Sequence, residues 1–135
     1  MDAVMNWPEF QKAIAALCLW REARGEGHDG MRAVCHVIAN RALKRNRSWA
    51  EVVYQPWQFS SMTASGDSQL TLVPVPPDAA FEDALAIADL VYYGKDDDIT
   101  QGADHYFAST IPMPEWAKNM TATAKIGRHL FFREG

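Results

Sequence analysis

The residue best suited to acid–base chemistry is Glu22, a carboxyl near the end of a predicted helix, in the segment WREARGE. At 100° per residue, Glu22 follows Cys18 by one turn and lies at the edge of the apolar stripe of this helix. The helix dipole disfavours a negative charge in the last turn, and partial burial removes water from it. Both effects favour a protonated carboxyl, which could act as a general acid and protonate a leaving oxygen.

Other interpretations of the two glutamates stay open. Glu22 could instead form an ion pair that only stabilises the helix end, with Arg21, Arg24 or Arg41 as its partner. Glu26, four residues further on, could supply a second carboxylate on the same face. Gly25 and Gly27 are expected to break the helix first, however, which would make Glu26 a solvated loop charge or a contact to backbone amides.

Two aromatic-rich segments, residues 54–59 and 105–107, are the other informative feature of the chain. Sugar-binding clefts use flat aromatic faces against pyranose rings, with amides and hydroxyls bonded to the sugar substituents. The residues of these types here are Trp57, Gln58, Ser60 and Tyr106. Plain core packing is the alternative; it is the preferred interpretation for Phe59 and Phe107 and an open one for Trp57 and Tyr106.

Composition and residue spacing argue against several other classes of function. A chain of 135 residues with 48% apolar residues predicts one folded domain over residues 1–135. The net charge of −4 argues against nucleic-acid binding, which usually needs a basic patch. The four histidines show no HExxH or similar spacing, so neither a metal nor another cofactor is expected. No GxSxG elbow occurs, although composition alone does not exclude a Ser/His/Asp triad.

Hydrophobic periodicity predicts a mainly helical α+β fold with a small sheet near the C-terminus. Helices are expected over about residues 8–24, 29–45, 49–53 and 78–93, with a short one over 114–119. Gly25 should end the first helix, Asp29 should cap the second, and a capping box at Ser48 should open the third. Residues 54–61 are predicted to be a loop and 62–77 irregular. Short strands are expected over residues 104–107, 121–126 and 129–132, the last two joined by a turn at Gly127-Arg128.

The same periodicity predicts which side chains are buried. The stripes are Phe10, Ile14, Leu17 and Cys18 in the first helix, Met31, Val34, Cys35, Ile38 and Ala42 in the second, and Phe81, Ala84, Leu85, Ala88 and Val91 in the helix over 78–93. Both cysteines are therefore interpreted as small buried hydrophobes, and whether they pair is left open.

Three blocks of the sequence together form a family pattern. The run REARGEGHDGMRAVCHVIANRAL resembles the opening of the SleB/CwlJ-type cell-wall hydrolase domain, in which a helix ending in E-A-R-G-E precedes a helix ending in N-R. The segment VVYQPWQFS resembles the Y-x-P-x-Q-F-S loop of this family. The segment GADHYFASTIPMPEWAKNMTATAKIGRHLFF is similar to its C-terminal block, with H-Y, W-A and I-G-x-H-x-F. The blocks occur in the family order and cover residues 14–132, roughly.

The resemblance implies a lysozyme-like fold with a groove between lobes, and cleavage of the bond between N-acetylmuramic acid and N-acetylglucosamine in peptidoglycan. Members characterised as lytic transglycosylases form a 1,6-anhydromuramic product with one essential glutamate, which matches Glu22 here. The alternatives are a hydrolytic muramidase, for which Glu26 is the nearest second carboxylate, a non-catalytic wall-binding relative, and an amidase, which the lack of a zinc-ligand pattern disfavours. The expected substrate-binding residues are Glu26, Tyr54, Trp57, Gln58, Phe59, Ser60, His105 and Tyr106.

The expected location follows from the N-terminus, MDAVMNWPEF, which has neither the basic nor the apolar region of a signal peptide. The apolar stretches are also too short for a membrane span. The chain is therefore expected to be made in the cytoplasm and to be monomeric, and it resembles a phage or prophage endolysin that a holin-type pore would release to the wall. A net charge of −4 gives no help in binding anionic glycan strands, so recognition should depend on a shaped groove.

Overall fold

The computed structural model describes residues 7–135, and the predicted mainly helical fold with a small C-terminal sheet is confirmed within them. The helices are α1 (Pro8–Ala23), α2 (Gly27–Arg45), α3 (Trp49–Val53), α4 (Ser60–Thr63) and α5 (Ala79–Tyr92), with 3-10 segments at Arg24–Glu26 and Glu115–Asn119. The strands are β1 (His105–Ala108), β2 (Thr121–Ile126) and β3 (His129–Arg133). The expectation that residues 1–10 are not a signal peptide falls mostly on residues 1–6, which lie outside the described residues. No helix within residues 7–135 is both long enough and apolar enough to cross a membrane.

Helix α1 buries a different stripe from the predicted one. Its buried face carries mostly small side chains, because α2, α3 and α5 all pack against this helix and small residues let the backbones approach closely. The members of this face are Gln11, Ala15, Ala16, Cys18, Leu19, Trp20 and Ala23. Of the predicted stripe only Cys18 is buried, while Phe10, Ile14 and Leu17 are half-buried. Glu22 follows Cys18 by one turn, so it lies beside the packed face.

The junction between α1 and α2 differs from the prediction. α1 ends at Ala23 with Arg24 as its C-cap, so Gly25 stands at the predicted position after the helix. Gly25 lies within a 3-10 segment, however, and it is Gly27 that takes the left-handed conformation, with a φ of 76°. Glycine suits this position because a side chain would be strained there. Asp29 is not the cap of α2 but lies in its first turn, where it accepts a hydrogen bond from Arg32 at 3.0 Å. The tight junction turns α2 back along α1.

The buried stripe of α2 is as predicted, since all five of its expected members are buried. In α5 the prediction is right for Ala84, Ala88 and Val91, while Phe81 is only half-buried. It is wrong for Leu85, which is 40% exposed, because Ile87 occupies the inner face instead. Both cysteines are buried and carry free thiols. Burial raises the pKa of the Cys35 thiol well above its ordinary value, so it behaves as a small apolar side chain.

Helices α3 and α5 both begin at side-chain caps. The capping box predicted at Ser48 is confirmed: Ser48 Oγ accepts from the Glu51 N–H, and Glu51 Oε1 accepts from the Ser48 N–H. Asp78 caps α5 and also accepts a hydrogen bond from Trp20 Nε1 at 3.2 Å, which ties α5 to α1. The single-turn helix α4 is a feature that the sequence prediction of a loop and irregular chain missed.

The three strands form an antiparallel sheet in the order β1-β3-β2. The predicted two-residue turn at Gly127-Arg128 joins β2 to β3, where Ile126 pairs with His129. On β1, alternate side chains point to opposite faces. Tyr106 packs on Phe131 towards the helices, whereas Phe107 packs on Phe132 on the other side.

We expect Ser48→Ala to lower the free energy of unfolding by about 1 kcal/mol, because it removes the side-chain acceptor at the start of α3. Thermal unfolding should show the loss as a drop in Tm of a few degrees. Ser68→Ala is the matched control, since Ser68 is exposed and makes no side-chain hydrogen bond within the described structure. Equal Tm values for the two variants would contradict the assigned cap.

Candidate active site

Three elements meet at the carboxyl of Glu22. The residue is partly buried in the last turn of α1, and each of its oxygens accepts one hydrogen bond. Oε1 accepts from the hydroxyl of Tyr106 on β1 at 2.9 Å. Oε2 accepts from the backbone N–H of Ser61 in α4 at 3.3 Å. The carboxyl is therefore held in one orientation by the sheet and by the short helix that sequence reasoning missed.

The surroundings of Tyr106 favour its hydrogen bond to Glu22, in which the phenol hydroxyl is the donor. Its ring packs against Phe131, His129 and Phe59, with ring centroids 5.6, 5.0 and 6.5 Å apart. Burial raises the pKa of Tyr106 well above its ordinary value, and the negative charge of Glu22 acts in the same direction. The phenol thus keeps its proton, and that proton lies in the hydrogen bond to Glu22.

The backbone at Ser61 is held by the residue that precedes Glu22. Arg21 donates from Nη1 to the Ser61 carbonyl at 3.2 Å and from Nε to the Leu72 carbonyl at 3.0 Å. The α4 segment and the irregular chain after it are thereby fixed to the end of α1. This arrangement brings the Ser61 N–H to Glu22.

The alternative in which Glu22 pairs with an arginine is wrong for the described residues. Arg21 is bound to backbone carbonyls, and Arg24 donates to the Trp20 carbonyl while stacking over the Trp20 ring at 4.0 Å. Arg41 is buried and donates twice to the Asp104 carbonyl. Each guanidinium has another partner, so the carboxyl of Glu22 is left to face the solvent-accessible space beside it.

A cavity of about 710 Å³ opens on one side of Glu22. The predicted residues Tyr54, Trp57, Gln58 and Ser60 line it. Trp57 is 95% exposed and has a φ of 69°, a left-handed conformation that is unusual for a bulky residue. An indole held in the solvent over a cavity is free to stack on a ligand, so core packing does not account for Trp57.

Ser60 is oriented by a neighbouring carboxylate. Its hydroxyl donates to Asp67 Oδ2 at 2.6 Å, and the other oxygen of Asp67 accepts from the Gln69 N–H. These hydrogen bonds lower the pKa of Asp67, the one from Ser60 contributing most. Asp67 is therefore ionised and already occupied, and it leaves the lone pairs of the Ser60 hydroxyl to accept from a ligand.

A second, smaller cavity of about 280 Å³ lies on the other side of Glu22. Its walls include Glu26, Arg128 and His129. Glu26 is paired with Arg128 Nε at 3.2 Å, so its carboxylate is tied to the hairpin turn. Glu22 lines both cavities and is the one lining residue that they share.

Three of the expected site residues line neither cavity: Tyr106, which hydrogen-bonds Glu22, and two others, Phe59 and His105. Phe59 is 1% exposed and belongs to the core beneath Tyr106, which agrees with the packing interpretation. His105 precedes Tyr106 on β1 and so points to the other face, where it bonds to Asp104 at 2.8 Å and lies beside Trp116. His105, Asp104 and Glu134 could present three metal ligands, but Lys44 Nζ already lies 3.0 Å from Asp104 and supplies the positive charge there.

His129 is the main site residue that the sequence analysis did not single out, although it is the histidine of the I-G-x-H-x-F block. It is 9% exposed, lines the smaller cavity, and its Nδ1 has no partner within residues 7–135. Burial lowers the pKa of His129, and Arg128 acts in the same direction, while Glu26 and Glu22 oppose them. The imidazole beside Glu22 is consequently neutral near pH 7.

Comparison with known proteins adds to this geometry. A family described as cell wall hydrolase matches residues 25–132, a range that begins three residues after Glu22. The catalytic domain of the germination-specific lytic transglycosylase SleB from Bacillus anthracis is similar in structure, with a TM-score of 0.71, 26% identity, and coverage of 91% of this chain and 93% of that one. The catalytic domain of the Bacillus cereus SleB protein is similar with a TM-score of 0.68 and 26% identity, covering 91% and 89%. Comparison with curated protein sequences gives no match.

Because the folded pKa of His129 is lowered, the unfolded chain takes up this proton first as the pH falls through the ordinary histidine value of about 6.5. The stability that the neutral imidazole contributes is present above that pH and is lost as the pH falls towards the folded pKa. We expect His129→Gln to show a smaller drop in Tm than the unsubstituted protein between about pH 7.5 and pH 5. Parallel Tm profiles would contradict this assignment.

Proposed function

The chain belongs to the cell wall hydrolase family and is a peptidoglycan-cleaving enzyme, and from this premise we propose that it is a lytic transglycosylase with Glu22 as its catalytic acid and base. The bond it cuts, in this proposal, joins N-acetylmuramic acid to N-acetylglucosamine. The observation that carries the proposal is a single oriented carboxyl at the junction of two cavities, each able to hold one side of a glycan strand.

The first step in this mechanism is protonation of the bridging oxygen. Glu22 gives its proton to that oxygen as the bond from the muramic C1 breaks, and the N-acetylglucosamine leaves with a free 4-hydroxyl. Positive charge develops on the muramic ring, and the carboxylate of Glu22 remains beside it. The hydrogen bonds from Tyr106 and Ser61 then stabilise the negative charge of Glu22 without any rearrangement.

The second step closes a ring within the sugar. The 6-hydroxyl of the muramic residue attacks its own C1, and Glu22 takes the proton from that hydroxyl. The product is a 1,6-anhydromuramic end, no water is consumed, and Glu22 is returned to its acid form. One carboxyl that acts in both directions is sufficient for this sequence, which is what the groove offers.

The arrangement of the neighbouring carboxylates favours this route over hydrolysis. Hydrolysis would need a second group to activate or position a water molecule. Glu26 is engaged by Arg128, and Asp67 is engaged by Ser60 and the Gln69 backbone. Neither carboxylate is a free base, so activation of water by a second carboxylate is disfavoured, and attack by the substrate's own hydroxyl is the step that the single free carboxyl of Glu22 supports.

Substrate contacts in the proposal come from the larger cavity. Trp57 and Tyr54 would pack against pyranose rings, and Gln58 and Ser60 would bond to acetamido and hydroxyl groups. Phe59 would act indirectly by supporting Tyr106, and His105 has no direct role in this arrangement.

Mass spectrometry of the soluble fragments released from purified peptidoglycan tests the reaction type. We expect muropeptides that end in 1,6-anhydromuramic acid. Reducing muramic ends alone would reject the transglycosylase and favour the muramidase, and reducing N-acetylglucosamine ends or free stem peptides would move the cleavage to a different bond.

Glu22→Gln is expected to keep the fold, because the amide oxygen can still accept one of the two hydrogen bonds, but to remove the titrating proton. General acid–base catalysis contributes about 10²–10⁴-fold, so the loss of turbidity of a peptidoglycan suspension should slow by at least about 10²-fold. Glu82→Gln makes the same chemical change at an exposed position on α5 and is the control. If Glu26→Gln abolished cleavage while Glu22→Gln retained it, the roles of the two glutamates would have to be exchanged.

The endolysin role stays a prediction. It would require that the chain be made inside a cell and reach the wall through a pore made by another protein. Expression in a bacterial cytoplasm with and without a holin-type pore protein tests it, and lysis only when the pore is present is the expected result.

A further inference from the structure

A third cavity, which Glu22 does not line, has a basic wall. It has a volume of about 800 Å³ and lies between the end of α2, helix α3 and the start of the following loop. Arg45 and Arg47 line one part of it, and Tyr54 and Pro56 line another. These last two residues also line the larger cavity beside Glu22. The basic cavity therefore adjoins the larger cavity beside Glu22, and Tyr54 and Pro56 lie between the two.

The charges in this cavity are unequally compensated. Arg47 lies 3.3 Å from Glu51 Oε2, and Glu51 is itself held by the capping box at Ser48. Arg45 is half-buried and donates only to the neutral amide oxygen of Gln55, at 2.9 Å. Within the described residues, Arg45 has no carboxylate partner. Its guanidinium keeps an uncompensated positive charge and donors that are free to bind an anion.

A helix-end role does not account for Arg45 in full. A cation in the last turn of α2 does interact favourably with the helix dipole, and Lys44 already provides one at that end. Burial is the main cause that lowers the pKa of the Arg41 guanidinium, and the like charge of nearby Arg45 lowers it further. Arg45 thus lies near the buried cation Arg41 and has no counter-ion of its own among the described residues. A binding site for an anion would require such an uncompensated cation.

We infer that the cavity at Arg45 binds a carboxylate of the stem peptide that peptidoglycan carries on its muramic acid. This inference rests on the proposed function, because it seats the muramic residue at Glu22. The peptide leaves that sugar through its lactyl group, and a peptide that passes Tyr54 and Pro56 would enter the cavity that Arg45 lines. A planar guanidinium binds a carboxylate through two parallel hydrogen bonds, which gives recognition as well as affinity. The site would make the enzyme prefer peptide-bearing strands to bare glycan.

The inference also bears on a feature of the whole chain. With a net charge of −4, the protein has no overall attraction for an anionic wall. A local positive wall next to the groove would attract the substrate where it has to bind, since charges of one sign in a cleft focus the field there. The preference would weaken with added salt because the site is open to solvent.

The test compares two substrates prepared from one batch of peptidoglycan that carries no phosphate-bearing wall polymer: intact strands, and strands whose stem peptides have been removed by an amidase. We expect Arg45→Gln to lower kcat/KM on intact strands by roughly ten- to a hundredfold, the worth of a charged hydrogen bond, and to leave the rate on peptide-free strands unchanged. Arg45→Lys, which keeps the charge but loses the two-pronged geometry, should give an intermediate value on intact strands.

The control is Arg133→Gln, which removes the same charge from an exposed residue of β3 that lies outside the groove. An equal loss with Arg45→Gln and Arg133→Gln would assign the effect to net charge and overturn the inference. So would an equal loss on both substrates, or no loss on either. Failure of the proposed function looks different, because the unsubstituted protein would then release no anhydro-ended fragments from either substrate.

A binding measurement that needs no turnover completes the test. Isothermal titration of the Glu22→Gln protein with a disaccharide-tetrapeptide and with the same disaccharide without its peptide should show tighter binding of the first. Adding Arg45→Gln should remove the difference. Equal affinities for the two ligands in the Glu22→Gln protein would overturn the inference.

Discussion

The chemistry proposed for this protein depends on how one carboxyl is held. Glu22 is oriented by a hydroxyl from the sheet and an N–H from a single-turn helix, and neither group is near it in the chain. The hydroxyl is in place only because β1 pairs with β3, and the N–H is in place only because Arg21 holds the carbonyl side of the same short helix. A helical core, a sheet and an irregular segment therefore have to be assembled before the carboxyl can work. The packing of the whole domain, and not the contacts within the site, supplies the stability that holds this arrangement in place.

The helical core provides the rigid part of this assembly. Small side chains on α1 let α2 and α5 pack closely, and Asp78 links α5 to Trp20 through its indole N–H. The site is built where this core ends, at the last turn of α1, so that Glu22 is near packed side chains and still reaches the groove. The basic cavity at Arg45 lies at the far end of α2, on the other side of the loop that carries Trp57. One loop thus separates the place of cleavage from the place where the peptide is proposed to bind.

The comparisons and the geometry support each other at different levels. The family match and the two similar SleB catalytic domains establish the family, and with it an enzyme of the cell wall and a lysozyme-like arrangement of helices and sheet. The comparisons do not assign a role to any single residue, and the family match itself begins after Glu22. The role of Glu22 and the use of the cavities beside it therefore depend on contacts within this chain.

The sequence by itself indicated α1, α2, α3 and α5, the capping box at Ser48, the hairpin turn at Gly127 and the candidate carboxyl of Glu22, because each of these follows from neighbours within a few residues. It did not indicate α4, and the cap that it predicted at Asp29 was wrong. Only the tertiary structure decided which side of α1 is buried, that Tyr106 and Ser61 meet at Glu22, that Glu26 is tied to Arg128, and that His105 faces away while His129 faces the groove. Those outcomes are set by contacts between residues distant in the chain, and a period of two or of 3.6 residues indicates that a face exists without indicating what covers it.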